Sequence, residues 1–107
     1  MSYQFLQLEH RDQVAYIWLN RPELHNAFNT QVIEELHHCF TQLNGRDDVR
    51  VVILAGRGKS FSAGADLNWM KHAGQASQAE NEADALKLAT MLHSLATLKQ
   101  PTILTFI

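Results

Sequence analysis

The sequence of 107 residues contains a single cysteine, Cys39, and has no excess of basic residues. One cysteine excludes an internal disulfide framework and is typical of a protein from a reducing compartment. The 9 Lys and Arg residues against 11 Asp and Glu give a formal net charge of -2. The chain therefore lacks the electrostatic footprint of a nucleic-acid-binding protein and a polybasic anchor for anionic lipid.

Long apolar runs are also missing. The longest extends only from Val51 to Ala55, whereas a membrane-spanning helix needs about 20 apolar residues. Residues 1–10 alternate polar and apolar side chains without a basic flank or an apolar block, so they do not resemble a secretory signal peptide. We expect a soluble domain with no membrane partner, located by default in the cytoplasm. A chain that had lost an organellar transit peptide would give the same pattern.

Motifs for phosphate, dinucleotide and nucleophile chemistry are incomplete. Residues 58–60 (GKS) match the end of a P-loop, but the glycine required five positions earlier is replaced by Ile53. A dinucleotide motif that begins at Gly56 would need glycine where Phe61 stands. No G-x-S-x-G nucleophile motif is present. Residues 56–60 are therefore expected to form a solvated turn.

The histidines do not show the spacing of a metal site. His37, His38 and Cys39 are adjacent on a predicted helix, so their side chains point about 100° apart and cannot hold one ion together. The neighbouring acids at 34–35 are expected on a solvated helix surface. We therefore expect no metal.

Hydrophobic periodicity predicts a hairpin, a helix and a buried strand in that order. Alternating apolar residues at 5–8 and 14–19 predict two antiparallel strands. Helical spacing from Val32 to Leu43 predicts a helix capped by Asn29 or Thr30. The near-continuous apolar run 49–55, interrupted by Arg50, is typical of a strand buried on both faces of a parallel sheet. This order of elements predicts a mixed α/β layer.

Two further helices and a strand are predicted in the second half of the chain. A short helix over 65–73 is expected to end at Gly74, and a longer one is expected over 80–98. Thr102 begins a strand. The buried stripe predicted for the longer helix comprises Ala85, Leu88, Leu92 and Leu95.

The junction at 61–67 (FSAGADL), between the buried strand and the short helix, is the strongest candidate for a site. Small side chains at 62–65 leave the backbone accessible, and the first N–H groups of a helix lack partners within the helix. Those donors and the helix dipole suit an oxygen that develops negative charge, as in half an oxyanion hole. A tight strand-to-helix connection, in which Asp66 only stabilises the start of the helix, is the alternative.

Two segments resemble signatures of a known family. Residues 19–28 (LNRPELHNAF) resemble the N-terminal signature of the crotonase superfamily, the enoyl-CoA hydratase/isomerase family. Residues 51–56 (VVILAG) followed by 59–67 (KSFSAGADL) resemble its second signature, in the same order and with a helix between them. The resemblance covers nearly the whole chain. It implies an α/β fold, the N-terminal portion of the spiral of ββα repeats, with 1–107 as a truncated fragment of one acyl-CoA-binding domain.

The resemblance also implies the substrate and the site. The family binds acyl-CoA thioesters, with coenzyme A as part of the substrate and no separate cofactor. The backbone N–H of Ala65 matches one oxyanion-hole donor, and the carbonyl of Ala63 matches an acceptor for the adenine amino group. Leu24 and His25 would lie near the CoA arm. The residues implied to line the CoA site are Glu23, Leu24, His25, Ala27, Ala63, Gly64, Ala65, Asp66, Leu67 and Asn68.

The reaction implied is hydration of a 2,3-unsaturated acyl-CoA through a thioester enolate, a step of fatty acid metabolism. Residues 62–70 (SAGADLNWM) most resemble hydratases of glutaconyl-type CoA esters, such as methylglutaconyl-CoA hydratase. Trp69 and Met70 are expected to pack on the core rather than to line an acyl pocket. A sister reaction (double-bond isomerisation or thioester hydrolysis) and a non-catalytic, CoA-binding or self-associating fragment remain open.

The family also has parts that residues 1–107 do not match. Family members are considerably longer and, after the strand matching 101–106, carry a glycine-rich loop with a second oxyanion donor. One or two glutamates that act on water or on the α-proton follow farther on. We therefore expect the chain alone to be inactive. An uncovered apolar edge at 103–107 should favour association, and full-length members are expected to be homo-oligomers, trimers or hexamers.

Overall fold

A computed structural model describes residues 2–59, 61–62, 64 and 66–105. Within these ranges the strands are β1 (Leu6–Arg11), β2 (Val14–Leu19), β3 (Val51–Gly56) and β4 (Thr102–Thr105). The α-helices are α1 (Thr30–Leu43), α2 (Leu67–Gln75) and α3 (Gln78–Ala96), and a 3-10 turn spans Pro22–Leu24. None of these helices is both long and apolar enough to cross a membrane.

The described strands form one mixed sheet in the order β1-β2-β3-β4. β1 and β2 are antiparallel, with Leu6 opposite Leu19 and Arg11 opposite Val14. β3 is parallel both to β2 and to β4, because helices carry the chain back between parallel strands. The predicted hairpin and mixed α/β layer are confirmed.

The core lies between one face of the sheet and α1. Ala15, Ile17 and Leu19 alternate along β2 and are buried in the same cluster as Leu36 and Phe40 of α1. The apolar periodicity of α1 therefore predicted its buried face correctly. Helix α3 packs against α1 and contributes Met91 to this cluster.

The ends of helices α2 and α3 differ from the prediction. The side chain of Asp66 accepts a hydrogen bond from the Trp69 amide, so α2 begins at Leu67 rather than at 65. Gly74 does not end α2, which continues through it to Gln75. The side chain of Ser77 accepts from the Glu80 amide, so α3 begins at Gln78.

The predicted apolar stripe of α3 is confirmed at Leu88 and Leu95 and wrong at Ala85 and Leu92. Ala85 and Leu92 are exposed, whereas Met91 is buried. The residues of α3 and its C-terminal turn that pack on the core are Leu88, Met91, Leu95 and Leu98. Adjacent positions of a helix lie about 100° apart, so a shift of one residue exchanges buried for exposed side chains.

Two other expectations of burial are also corrected. In β3, Val52 and Leu54 are buried, but Val51 and Ile53 are only half-buried, because α1 covers a single face of the sheet. The acid at position 35 is not solvated. Glu35 is fully buried, and its Oε1 accepts hydrogen bonds from the amides of residues 4 and 5 at 2.7 and 2.9 Å.

Candidate functional site

Two loops meet at the edge of the sheet where the parallel strands β2 and β3 end. Leu19 and Gly56, the last residues of the two strands, are paired across the sheet. Beyond them, the Phe28 N–H donates to the Gly64 carbonyl at 2.6 Å, and the Phe28 carbonyl accepts from the Asp66 N–H at 2.7 Å. The loop 20–28 and the loop 57–66 are thus joined by backbone hydrogen bonds on both sides of one residue.

Asn26 is a buried connection between the same loops. Its Oδ1 accepts from the Arg21 amide and its Nδ2 donates to the Arg57 carbonyl, both at 2.8 Å. Its carbonyl accepts from the Ser62 hydroxyl at 2.9 Å. Asn26 has φ +56 and His25 has φ +51, left-handed conformations that asparagine tolerates better than most residues. The chain therefore turns sharply here, with His25 outside and Asn26 inside.

A buried ion pair also links the two loops. Arg21 Nη1 lies 2.8 Å from Asp66 Oδ2, and the two side chains are only 11% and 7% exposed. The same Nη1 donates to the Ala27 carbonyl at 2.9 Å. The guanidinium lies over the Phe5 ring, 5.0 Å from its centre. Arg21 therefore ties the end of β2 to the start of α2.

Asp66 caps helix α2 with its other carboxylate oxygen. Its Oδ1 accepts from the Trp69 amide at 3.0 Å. This hydrogen bond, followed by the charge and hydrogen bond of Arg21, holds the pKa of Asp66 below its usual range despite the opposing effect of burial. The alternative role foreseen for Asp66, stabilising the start of the helix, is confirmed.

A cavity of about 510 Å³ opens where the loops meet. The side chains of Leu24, Leu67 and Asn68 are exposed around it, whereas Ala27 and Asp66 are buried. The residues that line it are Glu23, Leu24, His25, Ala27, Asp66, Leu67 and Asn68. An apolar rim with few charged groups suits an extended organic ligand better than a small ion.

Two more cavities adjoin α2. One of about 510 Å³ is lined by Leu67, Asn68, Met70 and Lys71. Another of about 320 Å³ is also lined by Asp66, together with Trp69 and the first residues of α1. Trp69 packs against the core, as predicted, but Met70 is exposed. The packing predicted for Met70 is wrong, because it points away from the face of α2 that carries Trp69.

The structure brings most of the implied CoA-site residues together. Seven of them line the first cavity, and Gly64 is held beside it by Phe28 with φ +89. Ala63 and Ala65 lie outside the described residues, so the adenine acceptor and the oxyanion donor stay predictions. In the described part of the chain, no group of three or more His, Cys, Asp and Glu residues could hold a metal ion.

Sequence reasoning assigned no role to Arg21 or to Asn26. Both lie inside the first signature segment, so their position was known but their partners were not. The sequence offered one signal for Asn26, since the side chain of an asparagine in a tight loop often forms hydrogen bonds with the backbone. The pairing of Arg21 with Asp66 joins residues far apart in the sequence, and no local pattern predicts it.

Comparisons with known proteins place the chain in a family of CoA enzymes. The sequence profile of the enoyl-CoA hydratase/isomerase family matches residues 9–104. A crystal structure of an enoyl-CoA hydratase from Shewanella pealeana superposes with a TM-score of 0.91 and 34% identity, covering 94% of this chain and 38% of that one.

Relatives with different reactions are equally similar. The 4-chlorobenzoyl coenzyme A dehalogenase-2 of an Arthrobacter species is 35% identical over 100 residues, which are 92% of this chain and 36% of that protein. The mitochondrial Delta(3,5)-Delta(2,4)-dienoyl-CoA isomerase of Mus musculus is 34% identical over 102 residues, 94% of this chain and 30% of that protein. The chain spans about a third of the length of the curated relatives that it matches. It therefore belongs to the enoyl-CoA hydratase/isomerase family, which confirms the resemblance of its two signature segments to the crotonase superfamily and its α/β crotonase-type fold.

Proposed function

We propose that the loops 21–28 and 61–68 form part of an acyl-CoA site, in a protein that hydrates a 2,3-unsaturated acyl-CoA. The observation that carries this proposal is the cavity of about 510 Å³ in which the two signature segments meet. Its rim is formed by exposed apolar side chains of Leu24 and Leu67, which suit the flexible arm of CoA. The same cavity ends at Asp66, one residue from the amide proposed to bind the thioester oxygen.

The proposed chemistry at that amide is stabilisation of a thioester enolate. Water adds to the β-carbon of the unsaturated thioester, and negative charge develops on the carbonyl oxygen. A backbone N–H at Ala65 would meet this charge without titrating and without rearranging, so it would act mainly on the transition state. The side chains that line the cavity would hold the CoA arm and would not take part in the reaction.

We further propose that residues 1–107 bind acyl-CoA but do not hydrate it. Hydration needs a general base and a general acid within hydrogen-bond reach of the reacting atoms. Of the carboxylates that line the described cavity, Asp66 is occupied by Arg21 and the Trp69 amide, and Glu23 is exposed at the rim. The second oxyanion donor and the acid–base groups are expected from other parts of a longer protein, as in the family.

A sister reaction is the second candidate. The relatives include an isomerase and a dehalogenase at 34% and 35% identity, so similarity does not favour hydration over isomerisation in this part of the chain. Both reactions use the same enolate-stabilising amide and differ in the acid–base groups. A preference for methylglutaconyl-CoA, a homo-oligomeric assembly and a cytoplasmic location belong to the same proposal.

Calorimetric titration of the 107-residue chain with crotonyl-CoA tests the half-site. We expect submillimolar binding that is lost in Ala65→Pro, which removes the N–H, and retained in Ala65→Gly, which keeps it. Circular dichroism of each variant checks that the chain remains folded. The proposal fails if the unmodified chain does not bind, or if the proline variant binds as tightly as the glycine variant.

The same samples test the absence of hydration. Addition of water removes the ultraviolet absorbance of the conjugated thioester, and we expect no change above the uncatalysed rate. Turnover by a sample whose mass corresponds to residues 1–107 would show that this part of the chain contains a complete set of acid–base groups.

A further inference from the structure

We infer that a cavity between α1 and α3 binds a small neutral molecule with an apolar body and one hydroxyl group, and that His37 accepts the hydrogen bond of this hydroxyl. The cavity has a volume of about 200 Å³. None of its lining residues lines any of the three cavities described above, so the inference is independent of the proposed function. The residues that line it are Ile33, Glu34, His37, Leu86, Lys87 and Thr90.

The hydrogen bonds of Ser94 determine which nitrogen of His37 carries the proton. Ser94 Oγ lies 2.6 Å from the Met91 carbonyl oxygen and 3.1 Å from His37 Nδ1. A carbonyl cannot donate, so the single proton of the hydroxyl is used in the bond to Met91. The bond between His37 and Ser94 must then be donated by Nδ1–H. In the neutral ring the lone pair therefore lies on Nε2, which becomes a hydrogen-bond acceptor.

Nε2 of His37 is open to a ligand. The residue is half-buried, and its Nε2 has no hydrogen-bond partner among the described residues. In the same part of the chain, the buried side-chain atoms without a partner are Trp18 Nε1, Trp69 Nε1 and Glu35 Oε2, so Nε2 of His37 is accessible. Because the His37 ring lines the cavity, a molecule inside it can donate a hydrogen bond to this nitrogen.

The other lining residues define the size and the charge of the ligand. The buried Ile33 and the exposed Leu86 supply apolar walls from the two helices. Lys87 Nζ lies 3.1 Å from Glu34 Oε1, so the two charges offset one another and do not favour a charged ligand. An apolar cavity of about 150 Å³ holds benzene. The larger volume between α1 and α3 therefore suits a benzene ring that carries one hydroxyl group.

The same contacts argue against two other roles for His37. A serine nucleophile needs its proton directed toward a histidine base, whereas the proton of Ser94 is directed toward Met91. A metal ion needs further ligands, and the described residues contain no group of three or more His, Cys, Asp and Glu side chains that could supply them. Acceptance of a hydrogen bond from a ligand is the role that these contacts favour.

Long-range ¹H–¹⁵N NMR of the histidine rings in the 107-residue chain tests the acceptor. At mildly alkaline pH, we expect His37 Nδ1 to give the signal of a protonated nitrogen and Nε2 that of an unprotonated one. In Ser94→Ala this preference should decrease, because Nδ1–H loses its acceptor. A neutral His37 ring with its proton on Nε2 in the unmodified chain would overturn the inference.

Titrations with phenol and with anisole, which has the same ring but no hydroxyl proton, test the ligand. We expect saturable binding of phenol that is about three- to tenfold tighter than that of anisole, because only phenol donates a hydrogen bond. The Nε2 signal of His37 should shift with phenol alone, and the amide signals of Leu86 and Thr90 should shift with both molecules. Equal affinities, no saturable binding of phenol, or shifts confined to Leu67 and Asn68 would each contradict the inference.

His37→Phe and His93→Phe are a matched pair of variants. His37→Phe keeps an aromatic ring but removes the acceptor, so the affinity for phenol should fall to that for anisole. His93 is exposed on α3 and does not line the cavity, so His93→Phe should keep the preference for phenol. Circular dichroism checks that both variants fold, and if His37→Phe does not, the comparison of phenol with anisole on the unmodified chain decides. A preference for phenol that persists in folded His37→Phe would overturn the inference.

Discussion

At the scale of single residues, two buried carboxylates are held in different ways. Asp66 has a charged partner in Arg21 and an amide donor from Trp69. Glu35 is fully buried and accepts two backbone amides at one oxygen, whereas its Oε2 has no hydrogen-bond partner among the described residues. The first carboxylate joins the loops of the site, and the second attaches the start of β1 to α1. Because both side chains are buried, we expect the loss of either carboxylate to destabilise the chain.

Glu35→Gln is expected to destabilise the chain much more than Glu34→Gln. The glutamine NH₂ would occupy a buried position without an acceptor, or would face the two amides that now donate to Oε1, at a cost of about 1–3 kcal/mol. Glu34 is exposed and pairs with Lys87 at 3.1 Å, so its loss should change the free energy of unfolding by less than about 1 kcal/mol. Urea denaturation of both variants gives the comparison. Equal effects would contradict the burial of Glu35.

Cys39 is expected to react slowly with thiol reagents while the chain is folded. Burial raises its pKa from 9.0 to about 11, so at pH 8 its thiolate fraction falls about 100-fold, and the thiolate is the reactive form. The labelling rate with a disulfide reagent should therefore be at least about 100-fold lower in buffer than in urea. Cys39 is the one cysteine of the sequence, so no other thiol contributes. Similar rates in the two solutions would contradict its burial.

At the scale of elements, the sequence predicted the elements with a clear apolar period and missed the first residues of the two later helices. The hairpin and α1 have clear periods of 2 and 3.6, and the Asn29 side chain caps α1 as expected. Helices α2 and α3 begin where the side chains of Asp66 and Ser77 bond to the backbone, which their weaker apolar patterns do not show. The phase of α3 depends on packing against α1, so no local signal fixes it. The helix end predicted at Gly74 was wrong because a glycine can follow a helix or lie inside one, and residue type alone does not distinguish the two positions.

Substitutions of two glycines by alanine are expected to change the free energy of unfolding in opposite directions. Gly74 lies inside α2, and a Cβ added there would meet no atom within 4 Å, so Gly74→Ala should stabilise the chain by about 0.5–1 kcal/mol. Gly58 has φ +85, and a Cβ there would lie 2.8 Å from the Pro22 Cβ. Gly58→Ala should therefore destabilise by at least about 1 kcal/mol. Thermal unfolding measures both, and a stabilising alanine at 58 would contradict the close approach of the two loops.

At the scale of the whole molecule, the candidate site depends on contacts between distant segments. The resemblance identified the segments, and the parallel pairing of β2 with β3 explains why their ends meet. The bonds of Arg21, Asn26 and Phe28 join two loops that follow neighbouring strands of the sheet. The site is thus a product of topology, and the sequence alone showed its residues without showing the bonds between them.

Strand β4, which lies at one edge of the described sheet, is expected to make the 107-residue chain associate. In β4, Ile103 and Leu104 are 50% and 56% exposed and lie on opposite faces of an edge strand. Exposed apolar edge strands pair with other chains, and a charge on the edge prevents this. Sedimentation velocity should show concentration-dependent association that Ile103→Lys or Leu104→Lys reduces. Leu86→Lys, at a similarly exposed leucine of α3 away from the sheet, should leave it unchanged. Association that responds to the α3 variant and not to the β4 variants would place the contact on the helical face instead.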